Sequence, residues 1–247
     1  MPIVFLSPST QDWNPYVTGS GSEEYWMNLL ADELEPYLYA NTIAFVRNTP
    51  EMTAASSIAQ ANQLGGFDFY LALHSNASGE GQAGKNRGII VFYYPTSSDG
   101  KRAAELFAAQ LRMVYPLPAK VTTQATTTLG EVRRPRYPAN LIELGYHDNY
   151  DDARWIENNL DAAAQAIARG LTEYFGLPFI PPMDPKRGTV RLSYGTLNLR
   201  STPSPAGTVI ANLPNGAEVT VYGEWNGWYV VQYGDQVGYA AAAYIDV

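Results

Sequence analysis

The chain has 247 residues, no cysteine, 46% hydrophobic residues and a formal net charge of −8. That length accommodates one large domain, or a medium domain followed by a small one, each with its own core. The acidic balance argues against a nucleic-acid partner and against general attraction to anionic membranes or teichoic-acid-rich walls. The missing cysteines exclude disulfides, thiolate metal sites and cysteine nucleophiles.

The N-terminus, Met-Pro-Ile-Val-Phe-Leu-Ser-Pro, has no basic region and only a short apolar run, Ile3–Leu6. It reads as a first strand and not as a signal peptide. Helical periodicity follows over Glu23–Leu38, then a strand over Ile43–Arg47. Thr53 is placed to N-cap a helix over Ala54–Leu64. Asp68–His74 reads as a strand, Gly88–Tyr94 as a β-rich run and Asp99–Tyr115 as an amphipathic helix. Asn140–Tyr146 is a buried strand by composition. Asp151–Phe175 reads as one long helix with Trp155, Ile156, Leu160, Ala164 and Ile167 on one side, closed by Gly176.

Strands alternating with helices predict an α/β fold over residues 1–177, a mostly parallel sheet flanked by helices. Pro178, Pro181, Pro182 and Pro185 exclude helix and predict a stiff linker over 178–188. Residues 189–247 hold short apolar runs between Gly, Pro and Asn turns, which predicts a small all-β barrel. No apolar stretch approaches the roughly 18 residues of a membrane span.

Three residues stand where a charge or an imidazole is out of place. His74 ends a buried-looking strand, Glu143 sits inside another, and Glu23 shares a helix face with Met27, Leu30 and Leu34. Its neighbour Glu24 falls instead with Asn28, Ala31 and Glu35. An unpaired carboxylate on an apolar face costs several kcal/mol, and a metal ion is one way to offset that. Ligands of open α/β sheets bind beyond the carboxyl ends of the strands. His74, Glu143 and the loop from Ser7 to Gly21 all belong to such ends. Two carboxylates and a histidine there suggest a metal hydrolase.

The second domain carries Leu197-Asn198-Leu199-Arg200-Ser201-Thr202-Pro203, Gly216-Ala217-Glu218-Val219-Thr220-Val221 and Asn226-Gly227-Trp228-Tyr229-Val230-Val231. Gly238-Tyr239-Ala240 and Tyr244-Ile245 complete the pattern. In order and spacing it resembles a bacterial SH3-like domain of the cell-wall type. The resemblance implies a non-catalytic module that holds an enzyme on peptidoglycan. Trp225, Trp228 and Tyr229 read as hairpin and core residues. Arg187, Arg191 and Arg200 nearly balance Glu218, Glu224, Asp235 and Asp246, so wall binding would rest on shape and aromatic contact.

The first domain carries Leu73-His74-Ser75-Asn76-Ala77 and Pro138-Ala139-Asn140-Leu141-Ile142-Glu143-Leu144-Gly145-Tyr146. Together they resemble the zinc-dependent N-acetylmuramoyl-L-alanine amidases. The resemblance implies Zn²⁺ held by Glu23 and His74, Glu143 as the catalytic base, and Asn76 near the substrate; Arg133 or Arg134, shortly before the Glu143 strand, is a candidate contact to a peptide carboxylate. It implies a peptidoglycan hydrolase that cuts between N-acetylmuramic acid and L-alanine. Its partner would be peptidoglycan, both glycan strand and stem peptide, and it would act as a monomer at the cell wall or outside the cell. With no signal peptide visible, release by lysis or a trimmed leader is expected.

One family element departs. Where the family has a histidine after its first strand, this chain has Ser7-Pro8-Ser9-Thr10-Gln11, with Thr10 in the histidine slot. His147 is a candidate substitute ligand; Gln11 or Asp12 could instead supply oxygen, or the metal site is weak or lost. The competing readings are a catalytically weak or inactive peptidoglycan-binding protein and a metal peptidase acting on the stem peptide.

Overall fold

A computed structural model describes all of residues 1–247. The chain divides into two compact units, one of Pro2–Leu34 with Phe45–Phe175, the other of Met1, Glu35–Ala44 and Gly176–Val247.

The first unit is built on a sheet of six strands: β1 (Ile3–Pro8), β2 (Ala44–Arg47), β3 (Phe69–Asn76), β4 (Ile89–Tyr93), β5 (Val121–Ala125) and β6 (Ala139–Tyr146), in the order β2-β1-β3-β6-β4-β5. β1 with β3, β3 with β6 and β4 with β5 run parallel; β4 runs antiparallel to β6. The sheet is therefore mostly parallel, as the alternation of elements predicts. Its central strands are covered on both faces, which explains their unbroken apolar composition. From Phe69 to Ser75 every residue of β3 is buried.

The helices are α1 (Glu23–Ala40), α2 (Ala54–Leu64), α3 (Ser98–Leu111), α4 (Gly130–Arg133), α5 (Tyr150–Asn158) and α6 (Leu160–Phe175). Thr53 caps α2 as expected: its side chain accepts from the Ser56 amide, and the Ser56 hydroxyl accepts from the Thr53 amide. The expected long helix from Asp151 to Phe175 is two helices, broken at Asn159. The side-chain amides of Asn158 and Asn159 donate to the carbonyls of Arg154 and Trp155 and so satisfy the end of α5. Two elements went unanticipated, the edge strand β5 and the single turn α4. β5 exposes most of its side chains, and a four-residue helix is too short to show periodicity.

The second unit contains a seven-stranded antiparallel sheet, β7 (Lys186–Val190), β8 (Thr196–Arg200), β9 (Val209–Pro214), β10 (Glu218–Trp225), β11 (Trp228–Tyr233), β12 (Gln236–Ala241) and β13 (Ile245–Asp246). The spatial order is β13-β7-β10-β11-β12-β8-β9. Alternate residues point inward, among them Leu197, Leu199, Val219, Val221, Val231 and Ile245. Asn226 and Gly227 join β10 to β11 with φ of +46° and +80°, the pair that a tight hairpin turn demands.

The Pro-rich stretch expected as a linker is packed within this unit. Ile180 is fully buried against Val230 and Tyr239. Its amide donates to Asn41 Oδ1 at 2.7 Å, and its carbonyl accepts from Asn41 Nδ2 at 2.9 Å. Tyr39 stacks on Tyr222, and Thr42 Oγ1 donates to the Tyr239 hydroxyl oxygen. The last residues of the stretch, 186–188, already belong to β7.

Candidate active site

Neighbouring strand ends and two helices converge at the carboxyl edge of the first unit's sheet. Parallel pairing places His74 of β3 directly beside Glu143 of β6, so their side chains leave the sheet on the same face. α1 begins at Glu23, and the short α4 brings Glu131. Glu23, His74 and Glu131 are all buried.

His74 is held between two carboxylates. Its Nδ1 is 2.8 Å from Glu23 Oε1 and its Nε2 is 2.9 Å from Glu131 Oε2. Glu131 Oε1 accepts from the Ser7 hydroxyl at 2.7 Å and from the Tyr70 hydroxyl at 2.8 Å. Glu23 Oε2 accepts from Asn14 Nδ2 at 2.8 Å. Burial works against a charged ring at His74, but the hydrogen bonds to Glu131 and Glu23 outweigh it and hold the imidazole protonated well above its usual range. Burial likewise opposes the charge on Glu23 and Glu131, and the His74 hydrogen bond prevails in both, lowering their pKa values.

Glu143 is the odd member. The residue is half-buried, yet its Oε2 is shielded from solvent and has no hydrogen-bond partner. Burial pushes its carboxyl up to about 7; the charge on His74 pulls it down, and those on Glu23 and Glu131 push it up. A carboxyl poised near neutrality suits proton transfer in both directions.

The two helix glutamates separate clearly. Glu23 faces His74, whereas Glu24 accepts from Asn28 Nδ2 on its own helix. Thr10 lines a cavity of about 250 Å³ with Ser9, Gln11, Trp13, His74 and Glu131. His147 is buried elsewhere at the edge: its Nδ1 meets the Ser75 carbonyl at 2.9 Å and its ring stacks on Tyr16. Asn76 Oδ1 accepts from the Ala77 amide. Arg133 is exposed and forms no ion pair, on the same turn that supplies Glu131.

The donor set for a metal is short. No group of three or more His, Cys, Asp or Glu is placed to hold an ion. Glu23 Oε1 and His74 Nδ1 do converge, and the Gln11 side-chain amide comes within 3.4 Å of that same nitrogen. Glu131 on the far ring nitrogen is the arrangement by which an outer carboxylate fixes a ligating histidine. Glu143, whose Oε2 has no hydrogen-bond partner, lies on the strand beside His74. Glu23 and His74 would offer a divalent cation one carboxylate and one imidazole, a poorer set than the usual three donors of catalytic zinc; the Gln11 atom near Nδ1 is Nε2, while its Oε1 accepts from Asn14 Nδ2 at 3.1 Å.

The buried acid–base constellation lies at the carboxyl edge of the α/β sheet, where folds of this class place their ligands. Residues 8–173 match the N-acetylmuramoyl-L-alanine amidase family, and residues 195–246 match the bacterial SH3 domain. The chain belongs to this amidase family: it is a peptidoglycan hydrolase with a C-terminal SH3 domain. Among solved structures it is similar to the amidase AmiC2 of Nostoc punctiforme, with 17% identity, a TM-score of 0.61, and coverage of 71% of this chain and 97% of that one. It is also similar to the catalytic domain of the amidase CwlV from Bacillus (Paenibacillus) polymyxa var. colistinus, with 20% identity, a TM-score of 0.59, and coverage of 72% and 100%. These likenesses concern the fold. No curated protein sequence matches.

Proposed function

We propose that the site hydrolyses the amide between N-acetylmuramic acid and L-alanine with help from zinc held by Glu23 and His74, with Gln11 as third donor once its amide turns to present Oε1 in place of Nε2. Zinc bound there would lower the pKa of its water towards ~7 and polarise the scissile carbonyl. Glu143 takes a proton from the attacking water and delivers it to the leaving amine of alanine. Glu131 keeps the His74 Nε2–H engaged, so that Nδ1 presents its lone pair beside Glu23 once its proton is displaced. Asn76 and Arg133 are candidate contacts to the stem peptide. His147 is left out of the ligand set because its ring meets Ser75 and Tyr16 and not the Glu23–His74 pair.

The observation that carries this reading is the unpartnered, shielded Oε2 of Glu143 next to the Glu23–His74 pair. The protein would act at the cell wall or outside the cell, with the barrel holding peptidoglycan. The test is release of free alanine amines from purified peptidoglycan, with and without a zinc chelator. Chelator-sensitive release is expected; chelator-resistant release would remove zinc from the scheme. The second reading, a peptidoglycan-binding protein with a weakened site, is favoured by Thr10 and Gln11 standing in place of a histidine. It predicts substoichiometric zinc in the purified chain and no release.

A further inference from the structure

The turn that supplies Glu131 continues as Arg133-Arg134-Pro135-Arg136, three arginines in four residues of a chain whose net charge is −8. All three are exposed, and none of their guanidinium groups has a partner within the chain. The other arginines of the first unit are engaged. Arg47 pairs with Asp32, Arg87 with Asp151 and Asp152, and Arg154 with Glu157. Arg102 lies over the Tyr174 ring, Arg112 donates to the Val121 carbonyl, and Arg169 is not free either.

The turn is held by its backbone, so the three side chains are not needed to shape it. Asn62 of α2 donates from Nδ2 to the Arg134 carbonyl at 3.1 Å and accepts at Oδ1 from the Arg136 amide at 2.9 Å. The Arg134 amide donates to the Gly130 carbonyl at 2.9 Å, and Tyr137 packs edge-on against Phe67. The charge is not cancelled locally. α2, which packs against α4, holds no charged residue, and no acidic residue stands between Val132 and Ile142. Glu131, the carboxylate of the turn, is buried and spent on His74, Ser7 and Tyr70. Like charges on one fixed turn repel one another, a cost that a bound polyanion offsets.

We infer that this triad binds a phosphodiester polymer carried by the wall glycan. Guanidinium forks match phosphate oxygens two at a time. A run of phosphates engages three forks in a row, whereas a single peptide carboxylate on Arg133 leaves Arg134 and Arg136 bare. The overall charge of −8 repels a long free polyanion, nucleic acid included. A polymer tethered to the glycan is instead presented locally, at the turn beside the catalytic edge. The inference rests on the reading of the chain as a protein that works on peptidoglycan, which brings such a polymer within reach.

The experiment is sedimentation of the full chain, in a Glu143→Gln background, with two preparations of one wall: intact, and stripped of phosphodiester polymers by hydrofluoric acid. The parent binds the intact wall about tenfold more tightly at low salt, and the preference fades as salt is raised. Arg136→Ala cuts the preference by about threefold and leaves binding to the stripped wall unchanged. Arg134→Ala with Arg136→Ala abolishes it, and the corresponding pair of lysines, which keeps the charge and loses the forks, retains part of it. Inorganic polyphosphate brings the parent down to its level on the stripped wall. Circular dichroism confirms folding of each variant. Equal binding of the parent to both walls overturns the inference, and so does a preference that survives the alanine pair. So does a loss of binding to both walls by the same factor in Arg136→Ala, which would assign the triad to stem-peptide carboxylates. Release of alanine amines from stripped wall by chains with an intact Glu143 is scored separately. Preference without release would sink the hydrolase mechanism and leave the triad standing, and release without preference would do the reverse.

Discussion

Replacing Glu143 with glutamine is expected to abolish hydrolysis and, in the metal-free protein, to stabilise the fold at alkaline pH. The group starts from an ordinary value of 4.5 and is pushed up to about 7 in the folded chain, chiefly by burial. Below the unfolded value both states hold the proton and the group contributes nothing to the pH dependence. Between the two values the unfolded chain releases its proton while the native chain keeps it, so stability falls as pH rises; above the folded value the loss is complete. Each pKa unit is worth about 1.4 kcal/mol, which makes the full cost up to about 3 kcal/mol. Because the residue is only half-buried, water screening makes that an upper figure.

Glutamine keeps the shape and removes the ionisation. For a unit of this size 1 kcal/mol moves the melting temperature by roughly 2–4 °C, so the gap between variant and parent approaches about 10 °C. The assay is thermal unfolding of both proteins in chelator, at about pH 4.5 and about pH 8.5. The curves should nearly coincide in acid and separate in alkali, with the variant higher. A gap that does not change with pH, or a variant that is less stable in alkali, would refute the assignment of Glu143 as a strained buried acid.

Three further outcomes follow from the same geometry. Gln11→Ala should weaken zinc binding and Gln11→His should strengthen it by at least about tenfold, as an imidazole replaces an amide oxygen; equilibrium dialysis reads both. Glu131→Gln removes a charge shared by His74, Ser7 and Tyr70, and urea unfolding at neutral pH should show a loss of about 3–5 kcal/mol. Since the Glu131 pKa is lowered in the fold, its stabilisation is present above the unfolded carboxylate value and fades as pH falls through the folded one, so this deficit shrinks in acid. Ile180→Ala empties a fully buried site and should cost about 2–5 kcal/mol in the unit that holds the barrel, measured by denaturant unfolding.

The residues that could be read from sequence share one property: each breaks a pattern. Glu143 interrupts an apolar strand, His74 ends one, and Glu23 lies on the apolar face of a helix. The α/β alternation and the barrel's turn residues were legible for the same reason, because periodicity and punctuation are local. Glu131 was missed because its surroundings, Leu129-Gly130-Glu131-Val132-Arg133-Arg134, look like an ordinary charged turn. Only the tertiary fold brings that turn against His74 and Tyr70. The break at Asn159 was missed because apolar spacing continues across it, and the interruption depends on side chains capping carbonyls. Gln11 could be read from sequence only as one candidate among several, since the nitrogen it meets is 63 positions away.

The unit that holds the barrel is discontinuous in sequence. Asn41, Thr42 and Tyr39 belong to it as much as Ile180, Tyr222 and Tyr239 do. A recombination event at the Pro-rich stretch would thus not move a self-sufficient cassette. The transplanted barrel would carry bare backbone groups at Ile180 and an uncovered tyrosine face, and an incoming barrel would leave Asn41 Oδ1 without its donor. Exchange of such modules between wall enzymes is therefore constrained by a few residues near the end of one helix, and surviving chimaeras are expected to have exchanged those residues as well.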